Sequence, residues 1–479
     1  MRQIDCAHVL TGKGADQNQA IEIDGERIHS IRPLASSPQP RLLAMPALVN
    51  AHDHGRAVRT TSIGASGKPL ESWLYYQLLF PAVDPYLAAA VSFGNTALGG
   101  TGIVMMHYTR AQGFTDLPTE AAEVARAARD VGVRVGFAVS MKDRNPIGFG
   151  PHEPLLDALP QDARDELVRR LVRPALAPKD FVKLVEDVAA AAENPNFTVQ
   201  FGPNGVQWCS DALLKAVAEA SALSGRRIHM HLLETRYQRG YLDQLYKGDV
   251  VKFLDSIGLL SPRLSLAHCV WARPDELELL AARGVTLVTN SSSNLRLRSG
   301  VAPVAKMFGC GCRVALGIDG SALDEDDDML REVRLTHLLH VGTGFKTQVH
   351  EKDILAGAAN TGRFAVINST DGGVVASGAP ADLLLLDYDA LDDDRLRDDV
   401  DPLQLIFARA ATRHMRELIV GGRTIVQNNR VLGVDLDAAR RDVIDRMRAG
   451  QPAVAPFAAA LSHLGGAIGE QMERHFSCN

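Results

Sequence analysis

Cysteine is scarce in this chain, and what there is builds no framework. The six residues (Cys6, Cys209, Cys269, Cys310, Cys312 and Cys478) include no CxxC pair. That excludes a disulfide scaffold and points to a reduced, cytoplasmic setting. Cys310-Gly311-Cys312 reads as two small buried thiols beside a strand start rather than a soft-metal site. Excess charge of either sign is also lacking: 51 Lys and Arg stand against 57 Asp and Glu, for a net charge of -6. No nucleic-acid footprint is expected from that balance. No apolar run approaches the length of a membrane span. The opening Met1-Arg2-Gln3-Ile4-Asp5-Cys6 has no apolar core of a secretory leader. Internal repeats and low-complexity linkers are absent too. The 479 residues exceed one small domain, and 46% hydrophobic content suits a large core.

What is present is a set of polar residues at the ends of apolar runs. His52 and His54 close the run Leu42 to Ala51. Residues i and i+2 of a strand point to the same side, so two imidazoles converge on one spot. Neutral imidazole is a common ligand for zinc-like metals. An isolated HxH in a chain with 15 His carries little weight, but three more sites repeat the pattern. They are Arg227 to Thr235 with His231 and Glu234, Leu264 to Cys269 with His268, and Val314 to Gly320 with Asp319. Between them lie helical stretches, Asp211 to Leu223, Asp275 to Ala282 and Met329 to Leu339. Strand and helix in alternation, with chemistry at strand ends, predict a parallel α/β fold, and a (β/α)8 TIM barrel is the favoured form.

The eight barrel strands are expected to end at His52, His107, Val139, Pro203, His231, His268, Asn290 and Asp319. The stretch before Ala44 reads as short strands with turns at Gly12-Lys13-Gly14 and Asp24-Gly25. Similar strands return after Gly378. The expected division is therefore a small composite β-sandwich from both termini (1–44 and 372–434), a barrel (45–371) and a helical tail (435–479). In that tail a charged amphipathic helix from Asp435 to about Arg448 should end at Gln451-Pro452.

With these motifs in place, the chain resembles the amidohydrolase superfamily, in its mononuclear metal-dependent deaminase branch of cytosine, guanine, adenosine-derivative and triazine enzymes. The resemblance rests on Pro46 to His54, His231-Leu232-Leu233-Glu234, Ala267-His268 and Leu316 to Gly320. Ser292-Ser293-Asn294, Ser299-Gly300, Pro303-Val304, Asp328-Met329, Glu332 and Arg334 support it. It runs almost end to end and implies the same barrel and sandwich. His52, His54, His231 and Asp319 offer three imidazoles and a carboxylate, leaving a position for water. Zn2+ is the expected ion, with Fe2+ or Mn2+ suited to the same ligands. The resemblance implies that Asp319 takes the water's proton, Glu234 carries a proton to a ring nitrogen, and His268 holds the hydroxide or developing oxyanion. Binuclear members carry a carboxylated lysine on the fourth strand. Here that strand reads Val199-Gln200-Phe201 and Lys183 falls in a helix, so one metal is favoured.

Each assignment has a plainer counterpart. His268 alone would more often be a satisfied core histidine, and Glu234 could cap the following helix. His229, at i-2 from His231, is expected deeper in the barrel with a structural role. Arg56, His107, Gln207 and Trp208 are candidate substrate contacts, and Arg59, Tyr108, Arg110, Lys142 and Asp143 also follow strand ends. Trp208 could stack on a ring and Gln207 could hydrogen-bond it. The run Asp324 to Asp328 reads best as an acidic helix start. Where relatives often carry a histidine after strand four, this chain has Asn204.

The expected function is hydrolytic deamination of a small aminated N-heterocycle of purine, pyrimidine, pterin or triazine type. Cleavage of an amide, urea or carbamate in the same site is the alternative, and a non-catalytic metal-binding protein is the third reading. The expected partner is a small molecule, with no nucleic acid and no membrane. The resemblance implies a homodimer, although assembly is not legible in the residues themselves.

Overall fold

The computed structural model describes residues 1–320 and 325–476, so Asp324 and Cys478 lie outside the described residues. Four strands open the chain: β1 (Arg2–Thr11), β2 (Gly14–Asp24), β3 (Arg27–Pro33) and β4 (Leu42–Pro46). Eight more follow: β5 (Leu48–Asp53), β6 (Thr101–Tyr108), β7 (Arg134–Met141), β8 (Phe197–Pro203), β9 (Ile228–Leu232), β10 (Leu264–His268), β11 (Thr286–Thr289) and β12 (Arg313–Leu316). Four late strands complete the set: β13 (Leu383–Asp387), β14 (Met415–Val420), β15 (Arg423–Gln427) and β16 (Arg430–Val431).

Strands β5 to β12 pair in sequence order, all parallel, as the core of a (β/α)8 barrel. Their sequences are near-continuous apolar runs because both faces are covered; every residue of β6 is buried. The seam between β12 and β5 is bridged by Asp319 N–H donating to His52 O at 2.8 Å and Ile318 N–H donating to Asn50 Oδ1 at 2.9 Å. Gly317 is required there: an added Cβ would stand 2.4 Å from Asn290 Oδ1 and 2.8 Å from His52 Cβ.

The other sheet is built by the termini in the order β16-β15-β14-β13-β4-β1-β2-β3. It curls on itself, because Ile28 N–H donates to Ala379 O and Gly378 N–H to Ile28 O, bringing the β3 edge to the segment before β13. Ile4, Ile21, Ile28, Leu383 and Ile419 share the core it encloses. The apolar run Leu42 to Ala51 is thus not one strand. Leu42–Pro46 pairs with β1 and β13, whereas Leu48–Asp53 begins the barrel. The chain changes sheets at Ala47, whose N–H donates to Asp382 O. Both pieces are buried on both faces, so no alternation betrays the crossing.

The helices between barrel strands begin and end on recognisable residues. Ser210 caps Asp211–Ser224 by accepting from Leu213 N–H, and Gly225 closes it in a left-handed conformation. Asp328 likewise caps Met329–His340 by accepting from Arg331 N–H, so this member of the acidic run is a helix start. The C-terminal helix departs from expectation. It runs from Leu436 to His475 with Pro452 and Pro456 inside it. A proline in a helix interior costs about 3 kcal/mol. Here Phe457, Leu461, Leu464, Ile468 and Met472, at three- and four-residue spacing, pack on Leu79, Ile147, Phe149, Leu155 and Leu167. Burying several such side chains, at roughly 1.5–3 kcal/mol each, outweighs the prolines. Among the described residues no helix is long and apolar enough to cross a membrane.

Candidate active site

The strand ends deliver the polar residues to one point. His52 lies in β5 and His54 just beyond it, His231 in β9, His268 at the end of β10, and Asp319 after β12. Asp319 Oδ1 stands 3.3 Å from His52 Nε2 and 3.1 Å from His54 Nε2. His231 Nε2 is 3.3 Å from His54 Nε2, and Glu234 Oε2 is 3.4 Å from His268 Nε2. All are buried except His54, which is half-buried. Backbone strain gathers here: Leu233, His268, Cys269 and Asp319 all have φ between 48° and 77°. Non-glycine residues in that region cost about 1–3 kcal/mol each and cluster at functional sites.

Outer hydrogen bonds decide which ring nitrogen faces inward. His54 Nδ1–H donates to His107 O at 2.9 Å and His231 Nδ1–H to Asn204 O at 2.6 Å. Both are therefore left with a lone pair on Nε2. A relay does the same for His52. Ser265 Oγ–H donates to Ile228 O, so Ser265 accepts from His229 Nδ1–H, at 2.7 Å. His229 Nε2 then accepts from His52 Nδ1–H, also at 2.7 Å. Asp319 Oδ2 accepts from Ser293 Oγ–H at 2.5 Å, leaving Oδ1 for the imidazoles. Asp53 ties the two loops together. It accepts from His54 N–H, Gly55 N–H, Asn50 Nδ2–H and Gly320 N–H.

Burial dominates the electrostatics. It drives the His52 imidazole down to about 3 despite the pull of Asp319. It holds His231, His229 and His107 well below the ordinary histidine range, and lowers His268. The two carboxyls part company. Burial, then the charges of Asp319 and Glu71, hold Glu234 well above the carboxylate range. Burial would also raise Asp319, but the His52 and His54 imidazoles facing it override that and hold Asp319 well below that range. Two buried carboxyls pushed in opposite directions thus share one site.

These residues fit a metal ion. His52 Nε2, His268 Nε2 and Asp319 Oδ1 are buried without a hydrogen-bond partner. A neutral imidazole lone pair facing a carboxylate lone pair at 3.3 Å is satisfied by a cation between them. His52, His54 and Asp319 form one ligand-capable group; His52, His231 and His268 form another, and Glu234, His268 and Asp319 a third. All are imidazole and carboxylate donors of the kind that hold one divalent ion. The fourth barrel strand carries no lysine; Gln200 there donates to Val366 O, and Lys183 pairs with Asp187 on the helix Pro178–Ala192.

A cavity of about 180 Å³ opens beside the cluster. His54, His231, Glu234, His268 and Asp319 form its polar end. Of the sequence-predicted substrate contacts, Arg56 and Trp208 line it, whereas His107 and Gln207 do not. His107 is fully buried, with Nε2 on Gly202 O and its ring stacked on His231. Gln207 is fully buried as well. His107 lies within β6 and Gln207 in the short turn after β8, so position at a strand's end did not suffice. Arg59 reaches Glu325 O instead, Tyr108 pairs with Glu120, and Asp143 accepts from Ser210.

Other residues complete the cavity, some without any sequence-based assignment (Trp73 and Leu70) and some named from the sequence only as following strand ends (Lys142 and Arg110). Trp73 and Leu70 come from a short helix, Leu70–Tyr76, in the segment between β5 and the next helix at Pro85. That segment's length, far beyond an ordinary βα loop, was the available signal. Lys142 and Arg110 line the cavity from the loops after β7 and β6. Asn294 accepts from His268 Nδ1–H at 2.9 Å.

Comparison with known proteins agrees with this geometry. The model of the amidohydrolase family matches residues 43–425. A 5-methylthioadenosine/S-adenosylhomocysteine deaminase from Thermococcus sibiricus is 30% identical over 72% of this chain and 73% of its own length. The atrazine chlorohydrolase TrzN from Arthrobacter aurescens, solved with zinc and atraton, superposes with a TM-score of 0.78 at 22% identity, covering 93% of this chain and all of that one. An adenosine deaminase from Xanthomonas campestris, solved with bound zinc, superposes with a TM-score of 0.74 at 22% identity, over 93% and 98% of the two chains. With its matching barrel and strand-end residues, this chain belongs to the amidohydrolase family, hydrolases of carbon–nitrogen bonds.

Proposed function

We propose that this protein is a metal-dependent hydrolytic deaminase of a small aminated N-heterocycle, of purine, pyrimidine, pterin or triazine type. The observation that carries the reading is the convergence on one cavity of two buried carboxyls that their surroundings push in opposite directions, Glu234 well above the carboxylate range and Asp319 well below it. Environments that push two titratable groups apart assign the acid and the base. The names of the deaminase relatives support the reaction, and those of the zinc-bound structural neighbours support Zn2+ as the resident ion. His52, His54, His231 and Asp319 would hold it. A divalent ion bound there supplies Lewis-acid activation of water.

The residues supply the rest. Trp73 and Trp208 offer flat apolar walls for the ring. Asp319 takes the first proton of the attacking water as its oxygen bonds the amino-bearing carbon. Glu234 gives its proton to the adjacent ring nitrogen, and His268 Nε2, left with its lone pair because Nδ1–H is on Asn294, accepts from the attacking oxygen's remaining O–H and orients it. The second water proton then returns to Glu234, and Asp319 passes its proton to the amine. The carbon–nitrogen bond breaks, and ammonia leaves a ring carbonyl behind. The reading also sets the enzyme in the cytoplasm, which its free cysteines suit.

A screen of aminated heterocycles for ammonia release, run beside amides, ureas and carbamates, tests this. Ammonia from a heterocycle supports it. An amine and an acid from the second panel alone would replace it with amide hydrolysis.

A further inference from the structure

Two cations face the cavity without a carboxylate on either. Lys142 has no hydrogen-bond or ion-pair partner among the described residues, yet its side chain lies open on the cavity wall. Crowding by protein holds its ammonium below the usual lysine range. Arg110, half-buried, donates among the described residues only to the carbonyl of Phe80. The nearest acid, Glu120, acts on Arg110 through space, because its oxygens are taken by Tyr108, Gln112 and Gly113. The two residues leave adjacent strands. β6 and β7 pair with Tyr108 beside Val139, and Arg110 and Lys142 lie two and three residues further on. The third cation, Arg56, is already engaged: it donates to Asp319 O and stacks on Trp73 at 4.8 Å. The cavity's carboxylates, Glu234 and Asp319, belong to the polar end already described.

A cation on a cavity wall with no carboxylate partner is free to take a ligand's anion, and the charge-assisted hydrogen bonds formed there are the strong ones. We propose that Lys142 and Arg110 form an anion subsite, and that the substrate is an aminated heterocycle carrying a carboxylate elsewhere on its ring. Two cations on adjacent loops can each take one carboxylate oxygen, and the small cavity leaves room for a compact group. This rests on the deaminase reading and narrows its substrate class.

The test uses metal-replete protein and matched pairs of aminated pyrimidines, purines, pterins and triazines, each as the ring carboxylate and the corresponding carboxamide. The carboxylate of the best pair should show a kcat/KM about ten- to a hundredfold higher, the range a charge-assisted hydrogen bond confers. Lys142→Met should narrow that ratio toward one, and Lys142→Arg should restore part of it. A carboxamide turned over as well as its carboxylate overturns the subsite, as does a Lys142→Met variant that lowers both alike. If no pair releases ammonia, the deaminase reading falls. The subsite is then decided by Kd for the same pairs, read from quenching of Trp73 and Trp208 fluorescence. Tighter carboxylate binding that Lys142→Met abolishes supports it, and equal binding overturns it.

Discussion

Asp319 and His52 meet twice across the seam of the barrel. Main chain bonds main chain, Asp319 N–H to His52 O at 2.8 Å, and side chain faces side chain, Oδ1 at 3.3 Å from Nε2. The first contact joins the last strand to the first, and the second sets the chemistry. Closing the barrel therefore assembles the site, and the glycine at 317 lets the two strand ends approach that closely.

Glu234→Gln should leave fold and metal content intact while lowering turnover by about 10²-fold or more, the range for a lost general acid or base. Glutamine keeps the shape and the contact with Ser299 but has no proton to cycle. Elemental analysis beside kcat checks this. Loss of metal along with activity would make Glu234 a ligand.

Purified protein should hold about one divalent ion per chain, from the one place where the ligand-capable groups among the described residues overlap and the absence of a lysine on β8. His229→Leu should weaken that binding about 10- to 100-fold, because it cuts the relay orienting His52. Competition with a chelator measures it. Unchanged affinity would make His229 a passive core residue.

Glu332 provides a pH test away from the metal cluster. It is buried against Ser292 N–H at 3.1 Å, and burial raises its pKa from 4.5 to about 7. The folded protein therefore holds this proton more tightly than the unfolded chain. That stabilisation is fully present below about pH 4.5 and is lost as pH climbs through 7. Glu332→Gln cannot ionise, so its stability relative to the parent should improve between pH 5 and pH 8, by on the order of 3 kcal/mol. Urea unfolding at the two pH values reads it. A constant difference would mean that Glu332 does not titrate in that window.

The barrel was legible because six of the eight expected strands closed on a polar residue after an apolar run, Val139 and Pro203 being the exceptions, and the helices between them kept their period. Asp211–Ser224 and Met329–His340 lie within a residue of where periodicity placed them. The seam at Ala47 was not legible, since two doubly buried strands joined end to end carry no alternation. The C-terminal helix was cut short because local rules see Pro452 but not the core that holds Phe457 and Leu461. Within the site, residues read from strand-end position were brought together, His52, His54, His231, His268 and Asp319 foremost. His107 is a buried residue of β6, and beyond the strands side-chain direction is set by loops, so Gln207 is buried while Trp73 and Lys142 reach the cavity.

On the deaminase reading, water replaces an amino group on a heterocycle in this site. Turnover by metal-replete protein in ¹⁸O-labelled water, followed by mass spectrometry of the product, tests it most directly. The account requires one ammonia per turnover and the label in a new ring carbonyl, with unlabelled water giving a product about one dalton heavier than its substrate. A product pair of amine and carboxylic acid, with the label in the acid and no ammonia from any heterocycle, would contradict it.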